Sequence, residues 1–227
     1  MRYHLEFADL WPYWPQFLAG AVTTIEFTFV ATVLGLVLGI VGAIARRSGT
    51  AWVRVAAGGY VELVRNTPFL IQIFFLYFGL ASAGLRLPVF AAAVLAMVIN
   101  VGAYTTEIVR AGIEAVHPSQ IEAAEALGLS TFQIYRDIIL RPALERVYPS
   151  LTSQFTLMML QSSITSQISA EELTGAANVI QSITFRSMEA YLVVGLLYLL
   201  LTLLLKSGFW ALGQVLFPRR RRLGTAL

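Results

Sequence analysis

The residues that could do chemistry are few in this chain of 227 residues. It has no cysteine, which excludes disulfides, thiolate zinc sites, iron–sulfur clusters and a cysteine nucleophile. His4 and His117 lie far apart and are predicted to be in different compartments, so we expect no metal site. No Gly-x-Ser-x-Gly elbow, intramembrane histidine or paired aspartate supports an intramembrane hydrolase.

ATP chemistry is not expected in this chain either. A phosphate-binding loop has the pattern G-x-x-x-x-G-K-[ST], in which the lysine reaches the terminal phosphates. Lys206 is the only lysine, and no glycine stands immediately before it. We therefore expect no catalytic residues and no cofactor in this chain.

One polar segment, EAAEALGLSTFQIYRDIILRPAL, interrupts the largely apolar sequence. Ser119 and Glu122 have the spacing of a capping box, which predicts the start of a helix. Strong helix formers follow, and Gly128 stands where a left-handed residue ends a helix. The sequence predicts a short helix that ends at Gly128.

A second helix is predicted after that turn. Ser130 and Gln133 repeat the capping spacing, and the helix would run to about Leu140 before Pro142 stops it. The first helix of the pair presents an almost bare alanine face. It is either a surface connector or a knob that fits a groove on a cytoplasmic partner. The candidate docking residues are Glu122, Ala123, Ala124, Leu127 and Gly128.

The composition indicates a membrane protein, because 57% of the residues are apolar and 13% are charged, against about 25% charged in soluble domains. Apolar runs of about 20 residues can cross a bilayer as helices. Five such spans are predicted within a single domain, residues 1–227: 18–45, 69–83, 89–109, 148–168 and 191–210. In the first, a ridge of small residues would let another helix approach closely: Ala31, Gly35, Gly39 and Ala43.

The basic residues predict the orientation of these spans. If the N-terminus is extracytoplasmic and the C-terminus cytoplasmic, all of the 16 Lys and Arg residues lie on the cytoplasmic side except Arg2, Arg86 and Arg186. The polar segment then belongs to a cytoplasmic loop, residues 110–146. The terminal run at residues 219–222, RRRR, is interpreted as an anchor attracted to anionic lipid.

Ionisable residues inside spans are costly, so each one needs an explanation. Glu107 and Arg110 are three residues apart and are interpreted as a structural ion pair. Glu26 has no local partner; it lies near the outer interface or faces the interior of the bundle.

The fourth span is the least apolar. It carries Gln154, Gln161, Ser162, Ser163 and Gln167. Such residues suit a water-filled path, although hydrogen bonds between helices would explain each one equally well. The candidate residues for a substrate path are Gln161, Ser162, Ser163, Gln167, Tyr104 and Glu26.

The polar segment of this chain resembles the cytoplasmic loop in the membrane subunits of ABC importers. The cytoplasmic loop of that family has the pattern EAA, three residues, Gly, nine residues, Ile, one residue, Leu-Pro. The matching positions are Glu122-Ala123-Ala124, Gly128, Ile138 and Leu140. Arg141 stands in place of the family's Pro, which comes one residue later at Pro142.

The resemblance narrows to the polar amino acid uptake branch, which serves His, Glu, Gln, Arg and opines. Further matches are Thr23–Thr28, Arg65–Pro68, Ala103-Tyr104, Glu107, Arg110, Gly112-Ile113, Ser162-Ser163, Ile168 and Glu172-Leu173. Leu160-Gln161 replaces the Lys-Asp that precedes the paired hydroxyls in related importers. The loss of these two charges leaves the charge preference for a substrate open.

The resemblance implies a type I importer permease: an all-α integral membrane fold of five transmembrane helices with a cytoplasmic coupling helix–turn–helix. It implies a bacterial inner-membrane protein that pairs with itself or a homologue. Its other partners would be an ABC ATPase that uses ATP and Mg, an extracytoplasmic solute-binding protein, an amino acid and membrane lipid, but no nucleic acid. The alternative is an ion-coupled secondary transporter, which would need mid-membrane coupling residues and usually internal repeats.

Overall fold

The computed structural model describes residues 4–217, so Arg2 and the RRRR run at residues 219–222 lie outside the described residues. All regular structure within that range is helical. A 3₁₀ segment, Phe7–Tyr13, leads directly into the first α-helix. The helices are α1 (Trp14–Ser48), α2 (Ala51–Arg65), α3 (Phe69–Ser82), α4 (Val89–Glu114), α5 (Pro118–Ala126), α6 (131–161), α7 (Leu173–Thr184) and α8 (Ser187–Leu216).

Three helical stretches in the described part are long and apolar enough to cross a membrane: Phe7–Arg47, Val89–Glu114 and Ser187–Leu216. Helices α2 and α3 pass the same test together but meet at an angle of 109°, so they count as a fourth span only if the bent pair is one crossing. The predicted span at 148–168 is not among them. The molecule is therefore an all-helical membrane protein with three or four clear candidate spans.

Helices α1 and α4 form the centre of the bundle, and the small-residue ridge of α1 allows their contact. Ala31 and Ala43 are fully buried. A Cβ added at Gly35 would overlap the side chain of Val101, and one added at Gly39 would lie 3.1 Å from the backbone carbonyl carbon of Thr105. The predicted close approach of a second helix is confirmed at these positions.

The contacts also give the directions of the helices. Gly35 meets Val101, and Arg47 reaches Ile113, so α1 and α4 run parallel. Helices α6 and α8 run antiparallel, because the Tyr148 ring contacts Phe217 and the Phe155 ring contacts Phe209. These contacts place Arg47 and Ile113 at one end of the bundle, which we call the arginine-rich end.

The N-terminal segment is held against the start of α8 at the opposite end. Arg186 binds the carboxylates of Glu6 and Asp9, the latter at 2.8 Å. The backbone N–H of Glu6 donates to Oε1 of Glu189 at 2.9 Å. The hydrogen bond that Arg186 donates to the Asp9 carboxylate raises the pKa of Arg186, so this guanidinium keeps its positive charge.

The prediction that Pro142 ends the second helix of the polar segment is wrong. Residues 134–140 form a π-helical turn, Ile134–Leu140, and the chain continues without a break into Arg141–Gln161. A proline cannot donate to the carbonyl four residues back, and its ring crowds that group. The wider turn just before Pro142 changes this hydrogen-bond register, and α6 therefore runs from the polar segment directly into the predicted fourth span.

Candidate functional site: a short exposed helix joined to the bundle

Helix α5 begins at a cap that the capping-box spacing did not predict. The N-cap is His117, whose Nδ1 accepts from the backbone N–H of Ser119 at 3.2 Å. The hydroxyl of Ser119 also lies 2.7 Å from that nitrogen. Ser119 thus lies inside the helix, and the predicted Ser119–Glu122 capping box does not form. Within residues 4–217 no hydrogen bond or ion pair holds the exposed Glu122 carboxylate.

The turn after α5 has the predicted conformation. Gly128 has a φ of +74°, which is left-handed. Its N–H donates to the carbonyl of Glu125, and the N–H of Leu129 donates to that of Ala124. These two bonds satisfy the last carbonyls of the helix. Ser130 and Gln133 then form the predicted capping box in full.

The candidate docking residues divide into two groups. Glu122, Ala123, Leu127 and Gly128 are exposed. Ala124 is buried and belongs to the same apolar cluster as Ile134 and Ile139. Ala124 therefore holds α5 against the rest of the chain, while the other four remain available to a partner.

Two large apolar side chains beside the turn are also exposed. Leu127 is 80% exposed and Phe132 is 70% exposed. The guanidinium of Arg136 covers Phe132 with its carbon 5.6 Å from the ring centroid. A hydrogen bond from Arg136 lowers the pKa of Asp137, so the adjacent surface carries one charge of each sign. The exposed surface is thus an apolar pair with a charged border.

Glu107 lies in a cluster of arginines at the arginine-rich end. Nη2 of Arg110 lies 2.9 Å from Oε2 of Glu107, so the structure brings the predicted pair together. Arg46 of α1 binds the other carboxylate oxygen, and Nη1 of Arg65 of α2 lies 3.9 Å from Oε2. The guanidinium of Arg65 also lies over the ring of Tyr104. One carboxylate thereby joins the ends of three helices.

Arginines from two other helices hold the end of α4 that leads into α5. Nη1 of Arg47 donates to the carbonyl of Ile113 at 3.1 Å, and Nη1 of Arg146 donates to that of Ala115 at 2.7 Å. The last carbonyls of a helix have no partner within it, and cations there interact favourably with the helix dipole. The connection to α5 is thus fixed to both α1 and α6.

The polar residues of the predicted substrate path mostly serve the backbone. Ser162 is fully buried and donates to the carbonyl of Met159, and Ser163 donates to that of Leu160. Both belong to the 3₁₀ segment Ser162–Ile168, in which such bonds to the third residue back are geometrically easy. Oε1 of Gln161 is buried and has no hydrogen-bond partner within the described residues.

The other path candidates are dispersed. Gln167 is exposed, and Tyr104 lies beneath Arg65. Glu26 is exposed on α1 beside Ile25 and so does not face the interior of this chain. No hydrogen bond among residues 4–217 joins any of these to Gln161. A single copy of the chain therefore does not assemble them into one pocket.

A buried polar network lies at the other end of the bundle, and the sequence indicates its Glu172 only as a family match and not as a network. Glu172 is fully buried; its Oε1 accepts from the N–H of Gly175, and its Oε2 accepts from the hydroxyl of Tyr198 at 2.5 Å. The hydroxyl of Thr24 on α1 accepts from the N–H of Leu173 at 3.2 Å. Burial raises the pKa of Glu172. Besides the family match at Glu172-Leu173, the sequence signal is an acidic residue at the capping position of α7.

The chain is similar to known transport proteins over most of its length. Residues 32–214 match the family model described as the inner membrane component of binding-protein-dependent transport systems. The nopaline transport system permease protein NocM of Agrobacterium fabrum is 37% identical over 199 residues, which cover 83% of this chain and 82% of the relative. The glutamine transport system permease protein GlnP of Escherichia coli is 35% identical over 202 residues, covering 88% and 92%.

Solved structures share the fold. A crystal structure of an amino acid ABC transporter with histidines matches with a TM-score of 0.85 and 34% identity, over 93% of this chain and 99% of that one. An inward-facing structure of the MetNI methionine ABC transporter matches with a TM-score of 0.75 over 91% and 98%, and at 19% identity it shows the fold alone.

An all-helical permease fold with an exposed loop helix defines a class of membrane transport subunits. This chain belongs to the family of inner membrane components of binding-protein-dependent transport systems. Members of this family are permease subunits and not catalysts, in agreement with the role expected from the sequence.

Proposed function

We propose that the chain forms the membrane pathway of an ATP-driven importer that takes up a polar or charged amino acid. Support for the substrate class comes from relatives named for nopaline and glutamine transport and from the similar structure of an amino acid ABC transporter. The ion-coupled alternative has no such relatives among these matches. ATP hydrolysis would take place in a separate subunit.

The observation that carries the proposal is the attachment of α5. The exposed side chains of α5, and that of Leu127 directly after it, face away from the bundle. Its buried Ala124 and the preceding carbonyls of Ile113 and Ala115 connect it to the core, α1 and α6. A force on the exposed face would therefore reach several spanning helices, as a coupling helix requires.

The proposed cycle uses two permease chains, two ATPase subunits and an extracytoplasmic solute-binding protein. ATP binding would bring the ATPases together and move the two α5 helices. The spans would turn from an inward-facing to an outward-facing arrangement and accept substrate from the binding protein. The second permease chain would complete a path that residues such as Gln161 do not enclose in one copy.

We also propose five crossings of the bacterial inner membrane, with the N-terminus outside. The fourth crossing would use the second half of α6, in which Phe155 and Tyr148 pack antiparallel to α8. Because the chain has no cysteine, single-cysteine variants report sidedness cleanly. We expect Arg86→Cys to react with an impermeant maleimide added outside intact cells and Ser130→Cys to react only after permeabilisation. The reverse pattern would contradict this orientation.

The central experiment compares two glycines in liposomes that contain the permease, its ATPase and its binding protein. Gly128 and Gly84 both have positive φ, +74° and +91°, and neither has a neighbour within 4 Å of an added Cβ. Replacement by valine imposes similar backbone strain at both. We expect Gly128→Val to abolish substrate-stimulated ATP hydrolysis and uptake, whereas Gly84→Val retains both.

Two further results distinguish the functional classes. Coupled transport in the Gly128→Val variant would rule out the docking role of this turn. Uptake that survives ATP depletion but collapses with the ion gradient would instead identify a secondary transporter. Binding of a panel of amino acids to the cognate solute-binding protein then identifies the substrate.

A further inference from the structure

Lys206, the single lysine of the chain, lies on an apolar helix and has no counter-ion among the described residues. It is exposed on α8, and no hydrogen bond or ion pair reaches it from residues 4–217. The only acidic residue on α8 is Glu189, at the other end of the helix. Lys206 lies four residues before the inner end of the predicted span 191–210, where a charge costs less than the roughly 2.5–3.5 kcal/mol of the helix centre. An anion or water close to the ammonium group would reduce this remaining cost.

A cavity of about 240 Å³ lies beside this lysine, between α6 and α8. Its walls are held together by the hydroxyl of Tyr148, which donates to the carbonyl of Phe209 at 2.5 Å, and by the neighbouring rings of Phe155 and Phe209. The lining residues are Tyr148, Pro149, Thr152, Ser153, Thr156, Lys206, Phe209 and Trp210. None of them is acidic, so the cavity has a net positive charge.

The free donors of the cavity define the ligand chemistry. The hydroxyls of Thr152 and Thr156 already donate to backbone carbonyls, at 3.0 and 2.8 Å. No hydrogen bond occupies Ser153 or Trp210 within the described part of the chain. The ammonium, one hydroxyl and one indole N–H therefore remain for a ligand. One charged donor group and two neutral donor groups suit an anion with several acceptor oxygens, such as a phosphate.

The surroundings of the cavity favour a lipid as the source of that phosphate. Leu203, Leu204 and Leu212 are exposed on the same helix and can contact acyl chains. Lys206 precedes Leu216, the last residue of α8, by ten positions, or about 15 Å along a helix. A lysine side chain can extend from that depth towards the interface, and basic pockets between spans on the cytoplasmic side bind anionic headgroups.

We propose that this cavity binds the phosphate headgroup of an anionic phospholipid in the leaflet at the arginine-rich end of the bundle. Lys206 provides the charge, while Ser153 and Trp210 provide neutral hydrogen bonds. This site is separate from the α5 surface and does not depend on the identity of the transported amino acid. It would hold α6 and α8 together where both approach the membrane surface.

Lipid binding can be counted by native mass spectrometry on the full-length permease in its complex with the ATPase. The detergent-purified complex is titrated with phosphatidylglycerol or phosphatidylcholine of identical acyl chains. We expect a preference for phosphatidylglycerol that falls about tenfold in Lys206→Met, as for loss of one charge-assisted hydrogen bond. Lys206→Arg should keep the preference, and Ser153→Ala should weaken it by a smaller factor.

Arg54→Gln is the matched control, because Arg54 is an exposed arginine on α2 that bonds only the carbonyl of Gly49 in the described structure. Removal of its charge should leave phosphatidylglycerol binding unchanged. An equal loss in Arg54→Gln and Lys206→Met would show general attraction to charge and overturn the site.

Three other outcomes would also overturn the proposal. Unchanged lipid binding in Lys206→Met would exclude the lysine. Displacement of phosphatidylglycerol by millimolar inorganic phosphate would identify a site for a free anion and not for a lipid. A loss of permease dimers in Lys206→Met, with lipid binding intact, would show that a second chain covers this cavity.

Discussion

The carboxylate of Glu107 on α4 binds the guanidinium of Arg46 on α1, across 61 positions of the sequence. Arg110 and Arg65 approach the same carboxylate from α4 and α2. The side chain of Glu107 is only 18% exposed. Its negative charge offsets the positive charges of the arginines that converge on it. This contact unites the arginine-rich end and lies about two helical turns before the connection to α5.

Replacement of Glu107 by alanine should destabilise the protein. The variant leaves Arg46 and Arg110 without their shared acceptor, and the expected loss is roughly 1–3 kcal/mol for an unsatisfied, partly buried group. The midpoint of thermal unfolding in detergent measures it. Glu114→Ala is the control, because Glu114 is 57% exposed and pairs with Arg110 alone. An equal effect of the two substitutions would contradict the central position of Glu107.

Gly39→Val should separate α1 from α4. Any side chain at this position meets the Cβ and the backbone of Thr105, which cannot move away as a flexible side chain would. Overpacking of this kind costs roughly 1–3 kcal/mol and should lower the thermal midpoint. Gly58 on α2 has no neighbour within 4 Å of an added Cβ. Gly58→Ala should therefore preserve or slightly raise the midpoint, since alanine favours helix; a fall as large as that of Gly39→Val would refute the packing argument.

The buried carboxyl of Glu172 should make stability depend on pH. Burial raises its pKa, so the stabilisation it provides is complete below the unfolded pKa and is lost as pH rises through the raised value. We expect the thermal midpoint of the wild type to fall relative to that of Glu172→Gln between about pH 5 and about pH 8. A constant difference across this range would mean that Glu172 does not titrate there.

Loss of the hydrogen bond to Glu172 should be costly even though little volume is removed. Tyr198→Phe deletes the hydroxyl that donates to Oε2 at 2.5 Å, and a buried acceptor left without its donor costs about 1–3 kcal/mol. The matched control is Tyr191→Phe, whose hydroxyl donates to Asn178 in an exposed contact. Chemical denaturation in detergent measures the free energy of unfolding of both variants. An equal loss in Tyr191→Phe would contradict a special contribution from the hydrogen bond between Tyr198 and Glu172.

Arg186→Ala should release the N-terminal segment without unfolding the bundle. Its contacts with Glu6 and Asp9 are partly exposed, and each such pair contributes about 0–1 kcal/mol. We expect little change in the thermal midpoint but faster hydrogen exchange in Phe7–Tyr13. Arg86→Ala, an exposed loop arginine, should leave that exchange unchanged. Undiminished protection in Arg186→Ala would show that the hydrogen bond from the Glu6 N–H to Glu189 and apolar contacts such as that of Leu10 hold the segment instead.

Local patterns were enough to predict the membrane class, the α1 ridge, the Gly128 turn and the Ser130–Gln133 cap. Each depends on residues that are close in sequence or repeat at helical spacing. The Pro142 stop failed because a π-helical turn changed the hydrogen bonds just before the proline. The Ser119 cap failed because His117, two residues earlier, made a competing local bond.

The sequence by itself therefore determined that the chain is an all-helical membrane protein and that the exposed helix ends at the Gly128 turn, because hydrophobicity and turn chemistry act over short distances. Only the tertiary structure decided that Arg46 and Arg65 share Glu107, that Ala124 faces inward and that Tyr198 meets Glu172. These contacts join residues from different helices. Their formation depends on the packing and rotation of each helix, which no local pattern specifies.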